Sequence, residues 1–272
     1  MSRWLVMVLF TVLIMVPAAE LKAASNGAVL AGNVLGTGVS TLIRSLIMGN
    51  IKSFKDVGKC FVFGSVAGLG FYQSKAMVAK GNIFPGILLA NLSASVAENV
   101  AMGEGPLDYL GFSFPFVRLQ VATPLAKNPA AILDVTFSSG DIASFISSIK
   151  NAEHVSFRNG LLTFTADEPL SKGVLGWTSG IFPTTLSGGS SQVMEHEAIH
   201  AIQSLQLMAV SPEPLMARKS NPDRDGSKAL RFSGVRLQAL GLANDLVLHG
   251  LQKYDLRWKE IEAYHFSSPV AN

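Results

Sequence analysis

The apolar positions of this chain change their period along its length. Val34–Met48 and Cys60–Val78 repeat at helical spacing, which predicts two helices. From about Phe112 to Leu186 the pattern becomes β-like. Phe116–Val121 alternates apolar and polar, as a half-covered strand does, and Ala131–Phe137 forms a second run ended by Ser138-Ser139-Gly140. Asp141 can cap a short helix through Ile149. His154–Arg158 and Leu161–Thr165 flank Asn159-Gly160, the dipeptide of a tight type I′ hairpin, and Leu175–Leu186 reads as one further strand. Residues after 187 return to helical spacing around Val193, Met194, Ile199, Ile202 and Leu205, interrupted by an exposed loop at Ser211–Asp225. The predicted class is α+β: Gly-rich N-terminal helices, a small mixed or antiparallel sheet, an active-site-type helix, then C-terminal helices.

The first segment has a different purpose. Arg3 precedes 16 uncharged residues, Trp4–Ala19, and small residues follow at Ala18, Ala19, Ala23 and Ala24. The run falls short of the roughly 20 residues of a bilayer span. Positive start, apolar run and small residues predict a signal peptide over 1–23 and an exported, periplasmic or secreted protein. The alternative is an uncleaved anchor. The remaining organisation reads as a Gly-rich helical region, 24–110, and a second domain, 111–272.

Composition narrows the field. Charged residues make up 15% of the chain and the net charge is +3. The basic residues are scattered rather than clustered, so no nucleic-acid partner is expected. A single cysteine, Cys60, excludes an intramolecular disulfide. Residues 26–103 hold 12 Gly and only 8 charged side chains. The pairs Gly32/Gly36 and Gly64/Gly68 sit four apart and would let a second helix approach closely. The preferred expectation is a soluble helical hairpin packed on the rest, because neither Cys60–Ser74 nor Gly81–Ala97, which contains Pro85, makes a good span. Peripheral membrane contact through 26–103 stays open.

The chemistry concentrates in His196-Glu197-Ala198-Ile199-His200, an H-E-x-x-H motif. On a helix the two histidines lie four apart, about 40° around the axis, and can converge on one metal ion. Glu197 is turned by about 100° from His196 and can reach a water held by that ion. Gln203 lies on nearly the same face as His200 and can orient a ligand from behind. The third ligand is open among Glu260, which is favoured, Glu262, His249 and His265. Glu260 and Glu262 are two apart, about 200° around a helix, so only one can face the ion. Tyr264, Tyr254 and His265 are candidates for stabilising an oxyanion. His154 reads as structural.

The stretch from His196 to Gln203 resembles the active-site helix of zincin metallopeptidases. Its H-E-x-x-H-x-x-Q form resembles a loose group of bacterial predicted zinc peptidases. Arg257–His265 resembles the later helix of the gluzincin type, with Glu260 at the ligand place and Ala263 three residues on. That resemblance implies a zinc hydrolase with metal ligands His196, His200 and Glu260, Glu197 as general base, a peptide or protein substrate, and a mixed sheet whose edge strand holds extended peptide. The other readings are an envelope-associated binding or structural protein with a non-catalytic zinc site, and one whose Gly-rich region contacts a membrane.

Overall fold

The computed structural model of the chain describes residues 26–114, 117–126, 133–150, 152–169, 175–210, 230–236 and 258–267. The segment read as a signal peptide, the stretch Ser211–Asp225 expected to be a loop, His249 and Tyr254 lie outside them. The described elements are mixed α+β. Three helices come first: α1 (Asn26–Ile47), α2 (Phe54–Val78) and α3 (Ile83–Ala101). Then follow β1 (Tyr109–Phe114), β2 (Val117–Ala122), β3 (Leu133–Ser138), α4 (Ser139–Lys150), β4 (His154–Arg158), β5 (Leu161–Ala166), β6 (Gly176–Ser179) and β7 (Phe182–Leu186). The last are α5 (Ser191–Val210), β8 (Leu230–Arg236) and α6 (Trp258–Ser267).

Local chemistry explains the element ends. Ser53 and Asp56 form a reciprocal capping box at the start of α2. Gly81, Gly103 and Gly188 carry positive φ where the chain turns between elements. Pro85 does not break α3: it sits in the first turn, where a missing N–H removes no helical bond. Asn159 and Gly160 both take positive φ, 52° and 79°, and join β4 to β5 in the register the dipeptide predicts.

The helices pack through glycine, but not by both expected pairs. A Cβ on Gly68 would lie 2.2 Å from the carbonyl oxygen of Asn33, and one on Gly64 would lie 2.8 Å from Thr41. On α1, the close approach falls at Gly38, where a Cβ would lie 2.4 Å from Ser65 Oγ. Gly32 is exposed and Gly36 meets nothing within 4 Å. The four-residue spacing is present in both helices; the rotation of α1 turns its pair away from α2. Among the described residues two helices, α1 and α3, are long and apolar enough to cross a membrane by length and composition, and α3 is largely buried within the protein.

Two four-stranded mixed sheets form, where one small sheet was expected. Their orders are β1-β2-β3-β8 and β4-β5-β7-β6. β8 lies parallel to β3, and β5 parallel to β7; the other pairs are antiparallel. The Leu175–Leu186 run is two strands, because Gly180 turns the chain at φ 61°.

The outer edge of β1 is closed by α3. Asn91 Oδ1 accepts from Ser113 N (2.9 Å), Ser95 Oγ accepts from Gly111 N (2.8 Å), and Asn99 Nδ2 donates to the Tyr109 carbonyl (2.8 Å). Four helical residues advance about 6 Å and two strand residues about 6.6 Å, so the two rows stay in step.

One apolar cluster joins the parts on either side of residue 110. It contains Ala67, Phe71 and Ala94 from the helices, Phe164 and Phe182 from the second sheet, and Ile199, Ile202 and Ala263 from α5 and α6. Burying each large side chain contributes about 1.5–3 kcal/mol. Phe145, Phe164 and Phe182 meet edge-to-face, with ring centroids 5.8–6.0 Å apart. This core fixes α5 between the helices and the sheet.

Candidate metal centre

The helix α5 buries Ala198, Ile199, Ala201, Ile202, Leu205 and Ala209, a single stripe at helical spacing. That stripe locks its rotation. The opposite face then carries His196 and His200 toward α6. The short helix α6 turns Glu260 to meet them, with Ala263 fully buried at the crossing. His196, His200 and Glu260 form a group that can hold a metal ion, their ligand atoms all within 4.8 Å of one another. The Nε2 atoms of the two histidines are 3.2 Å apart, and each lies 3.5 Å from a Glu260 oxygen.

Proton assignment shows which atoms face the centre of this cluster. Ser267 Oγ donates its one proton to the Ala263 carbonyl (2.7 Å), so it must accept from His196 Nδ1 (2.9 Å). Gln203 Nε2 donates to two acceptors, the Lys259 carbonyl (3.0 Å) and Glu262 Oε2 (2.8 Å). Its Oε1 therefore accepts from His200 Nδ1 (2.8 Å). In their neutral forms the two imidazoles turn Nε2 lone pairs to one point, and a carboxylate faces the same point. A positive charge joins such groups, either a proton on an imidazole, which the Glu260 carboxylate favours at His200, or a metal ion. Two nitrogens and one oxygen at this spacing are a donor set that borderline divalent metals accept.

Glu197 stands apart from the three. It is buried, and Thr178 Oγ1 lies 2.7 Å from its Oε2 and 2.9 Å from its own carbonyl oxygen. Burial pushes the Glu197 carboxyl above the usual carboxylate range, with the imidazole of His200 and the Thr178 hydroxyl opposing. Burial lowers the basicity of His200, but the Glu260 carboxylate outweighs it and holds the imidazole above its ordinary value. Tyr264 stacks on His196 with ring centroids 4.8 Å apart and is half exposed.

The structure brings His196, His200 and Glu260 together, and of the alternative ligands Glu262 and His265 lie outside that group. Glu262 points away from the metal group and pairs with Lys75 Nζ at 2.8 Å. His265 packs against Phe266 and is not in the metal group. His154 is exposed, 3.7 Å from Glu153. Sequence reasoning missed Thr178, Ser267, Lys75 and Asn33. Only Ser267 carried a local signal, a hydroxyl on the ligand helix; the others come from distant strands and helices.

No family model matches the chain, and no curated protein or solved structure matches it either.

Proposed function

We propose that the chain is an exported zinc-dependent hydrolase of peptide bonds, of the zincin type. The observation that carries this reading is the convergence of His196 Nε2, His200 Nε2 and Glu260 beside a separate buried carboxylate, Glu197. Structural zinc sites usually take four protein ligands. Among the described residues the group has three, which favours a position left for water or substrate. When bound, the ion supplies Lewis acidity: it polarises a carbonyl and acidifies a water. Everything else falls to the chain. His196, His200 and Glu260 would hold the ion. Thr178 holds Glu197 through Oε2, so that Oε1 can take a proton from the attacking water and pass it to the leaving amine. The raised proton affinity of Glu197 suits that exchange. The half-exposed position of Tyr264 beside His196 supports its role as the residue that would approach a bound substrate. The charged start and short apolar run at the N-terminus support export.

The test compares wild type with Glu197→Gln. Zinc content is measured by mass spectrometry and hydrolysis with a mixed quenched-peptide set. The expected result is one zinc per chain in both, with hydrolysis in wild type alone. Equal hydrolysis by both proteins would overturn the assignment of the base. Zinc in neither would overturn the metal centre.

A further inference from the structure

Behind the metal group lies a polar cluster sealed inside the protein. Lys75 has no exposed surface and Glu262 is 2% exposed. Lys75 Nζ has three protons and three acceptors: Glu262 Oε2 (2.8 Å), Asn33 Oδ1 (2.9 Å) and Gln206 Oε1 (2.8 Å). Asn33 Nδ2 in turn donates to Glu262 Oε1 and to the Val29 carbonyl. Gln206 Nε2 donates to Thr37 Oγ1 at 2.9 Å. Every polar atom in the set has a role that its neighbours determine.

This cluster ends on a metal ligand. Glu262 Oε2 accepts from Gln203 Nε2, and Gln203 Oε1 accepts from His200 Nδ1. The line runs Lys75, Glu262, Gln203, His200. It fixes the direction of the Gln203 amide, because reversing the amide would aim its oxygen at Glu262 and its N–H at His200. The fixed amide leaves Nδ1 as the protonated nitrogen of His200 and Nε2 as the bare one. A buried ion pair is often no better for stability than apolar residues of the same volume. Its position here, one amide away from a metal histidine, gives it a different use.

We infer that Lys75, Asn33 and Glu262 are positioning residues for the metal centre. The inference rests on the metal reading above and adds a task for the Gly-rich helices. α1 supplies Asn33 and α2 supplies Lys75. The close approach at Gly64 and Gly68 brings Asn33 within reach of Lys75. The N-terminal helices thus complete the outer support of the site rather than standing beside it. Loss of such support costs about 10–100-fold in metal affinity.

The test uses the full chain and two double variants. Lys75→Met with Glu262→Leu removes both charges together and leaves Gln203 Nε2 only the Lys259 carbonyl as acceptor. Lys75→Met with Glu262→Gln also removes both charges but keeps a side-chain oxygen for Gln203. Zinc affinity is read by competition with a chromophoric chelator, and ligand geometry by the visible spectrum of the cobalt(II) form. Metal-free unfolding temperatures control for folding. The expected result is a fold retained in both, with zinc bound about 10–100-fold more weakly and an altered cobalt spectrum in the Leu variant only. A folded Leu variant with wild-type affinity and spectrum would overturn the inference. If that variant does not fold, Gln203→Leu replaces it, because it leaves the Lys75–Glu262 pair intact. Weakened zinc binding there, with the Gln variant near wild type, supports the relay; unchanged binding overturns it. A wild-type chain that takes up neither metal would sink the metal reading itself, and this inference with it.

Discussion

The hydroxyl of Thr178 sits between two oxygens of one residue, Glu197 Oε2 at 2.7 Å and the Glu197 carbonyl at 2.9 Å. It has one proton to give. With Glu197 ionised, the proton belongs on the carboxylate. With Glu197 protonated, it can turn to the carbonyl while the hydroxyl oxygen accepts from the acid. The pair can therefore follow a proton without moving a heavy atom. Thr178→Val keeps the shape and removes the hydroxyl. Zinc content should stay at wild-type level while hydrolysis slows about tenfold or more, as expected when a general base is poorly held. Steady-state kinetics beside metal analysis checks this. Full activity in Thr178→Val would mean that Glu197 needs no such partner.

If His196, His200 and Glu260 hold zinc as proposed, a stability signature follows that needs no substrate. A ligand at about 100 times its Kd stabilises the folded state by about 2.7 kcal/mol. For a chain of this size that raises the unfolding temperature by about 5–10 °C. Wild type should show the shift on adding zinc. His200→Ala and Glu260→Ala should lose it, and Tyr264→Phe should retain it. Differential scanning fluorimetry distinguishes these outcomes in one plate.

Glycine substitutions should separate position from spacing. Gly68→Ala would press a methyl against the Asn33 backbone, and overpacking of that kind costs about 1–3 kcal/mol. Gly36→Ala meets nothing within 4 Å and replaces a helix-interior glycine, a change that stabilises by about 0.5–1 kcal/mol. Urea unfolding should move in opposite directions for the two variants. Equal effects would mean that the α1–α2 approach is not where the structure puts it.

Asp56 provides a pH test away from the metal centre. Its Oδ2 accepts from Lys52 N (3.0 Å), Ser53 N (2.8 Å) and Ser53 Oγ (2.9 Å). These bonds, led by that from the Lys52 backbone, hold the carboxyl below its ordinary value of 3.8. The sign follows: the unfolded chain binds the proton more readily, so the stabilisation is present above pH 3.8 and disappears as pH falls through the depressed value. The stability gap between wild type and Asp56→Asn should be constant near neutrality and close in acid. Its carboxyl midpoint by NMR should fall below 3.8. A midpoint at or above that value would contradict the capping box.

Much of the centre was legible because it is local. His196, Glu197 and His200 have a fixed spacing on one helix, and Glu260 needed only the three-residue step to Ala263. The Asn159-Gly160 turn was legible for the same reason, since two positive φ values leave few alternatives. What escaped depends on partners far along the chain. Lys75 and Glu262 are 187 residues apart, and no spacing encodes that meeting. β1 carries a central glycine and owes its outer hydrogen bonds to helix side chains, so its sequence alone does not look like a strand. β8 pairs with β3 across a gap of about a hundred residues. The glycine pairs of α1 and α2 looked equivalent because periodicity gives a face but not its rotation against a neighbour.

The row Asn91, Ser95 and Asn99 has a consequence for how the protein meets copies of itself. The outermost strand of a sheet normally offers bare amides and carbonyls on which a foreign strand can template. Here a helix impersonates the next strand. Its side chains occupy Tyr109, Gly111 and Ser113 at the interval a true neighbour would use. An intruding segment would have to displace a polar partner for each backbone bond it gained at these three positions. On this flank, growth into a continuous cross-strand polymer is stopped by a disguise written in small polar residues.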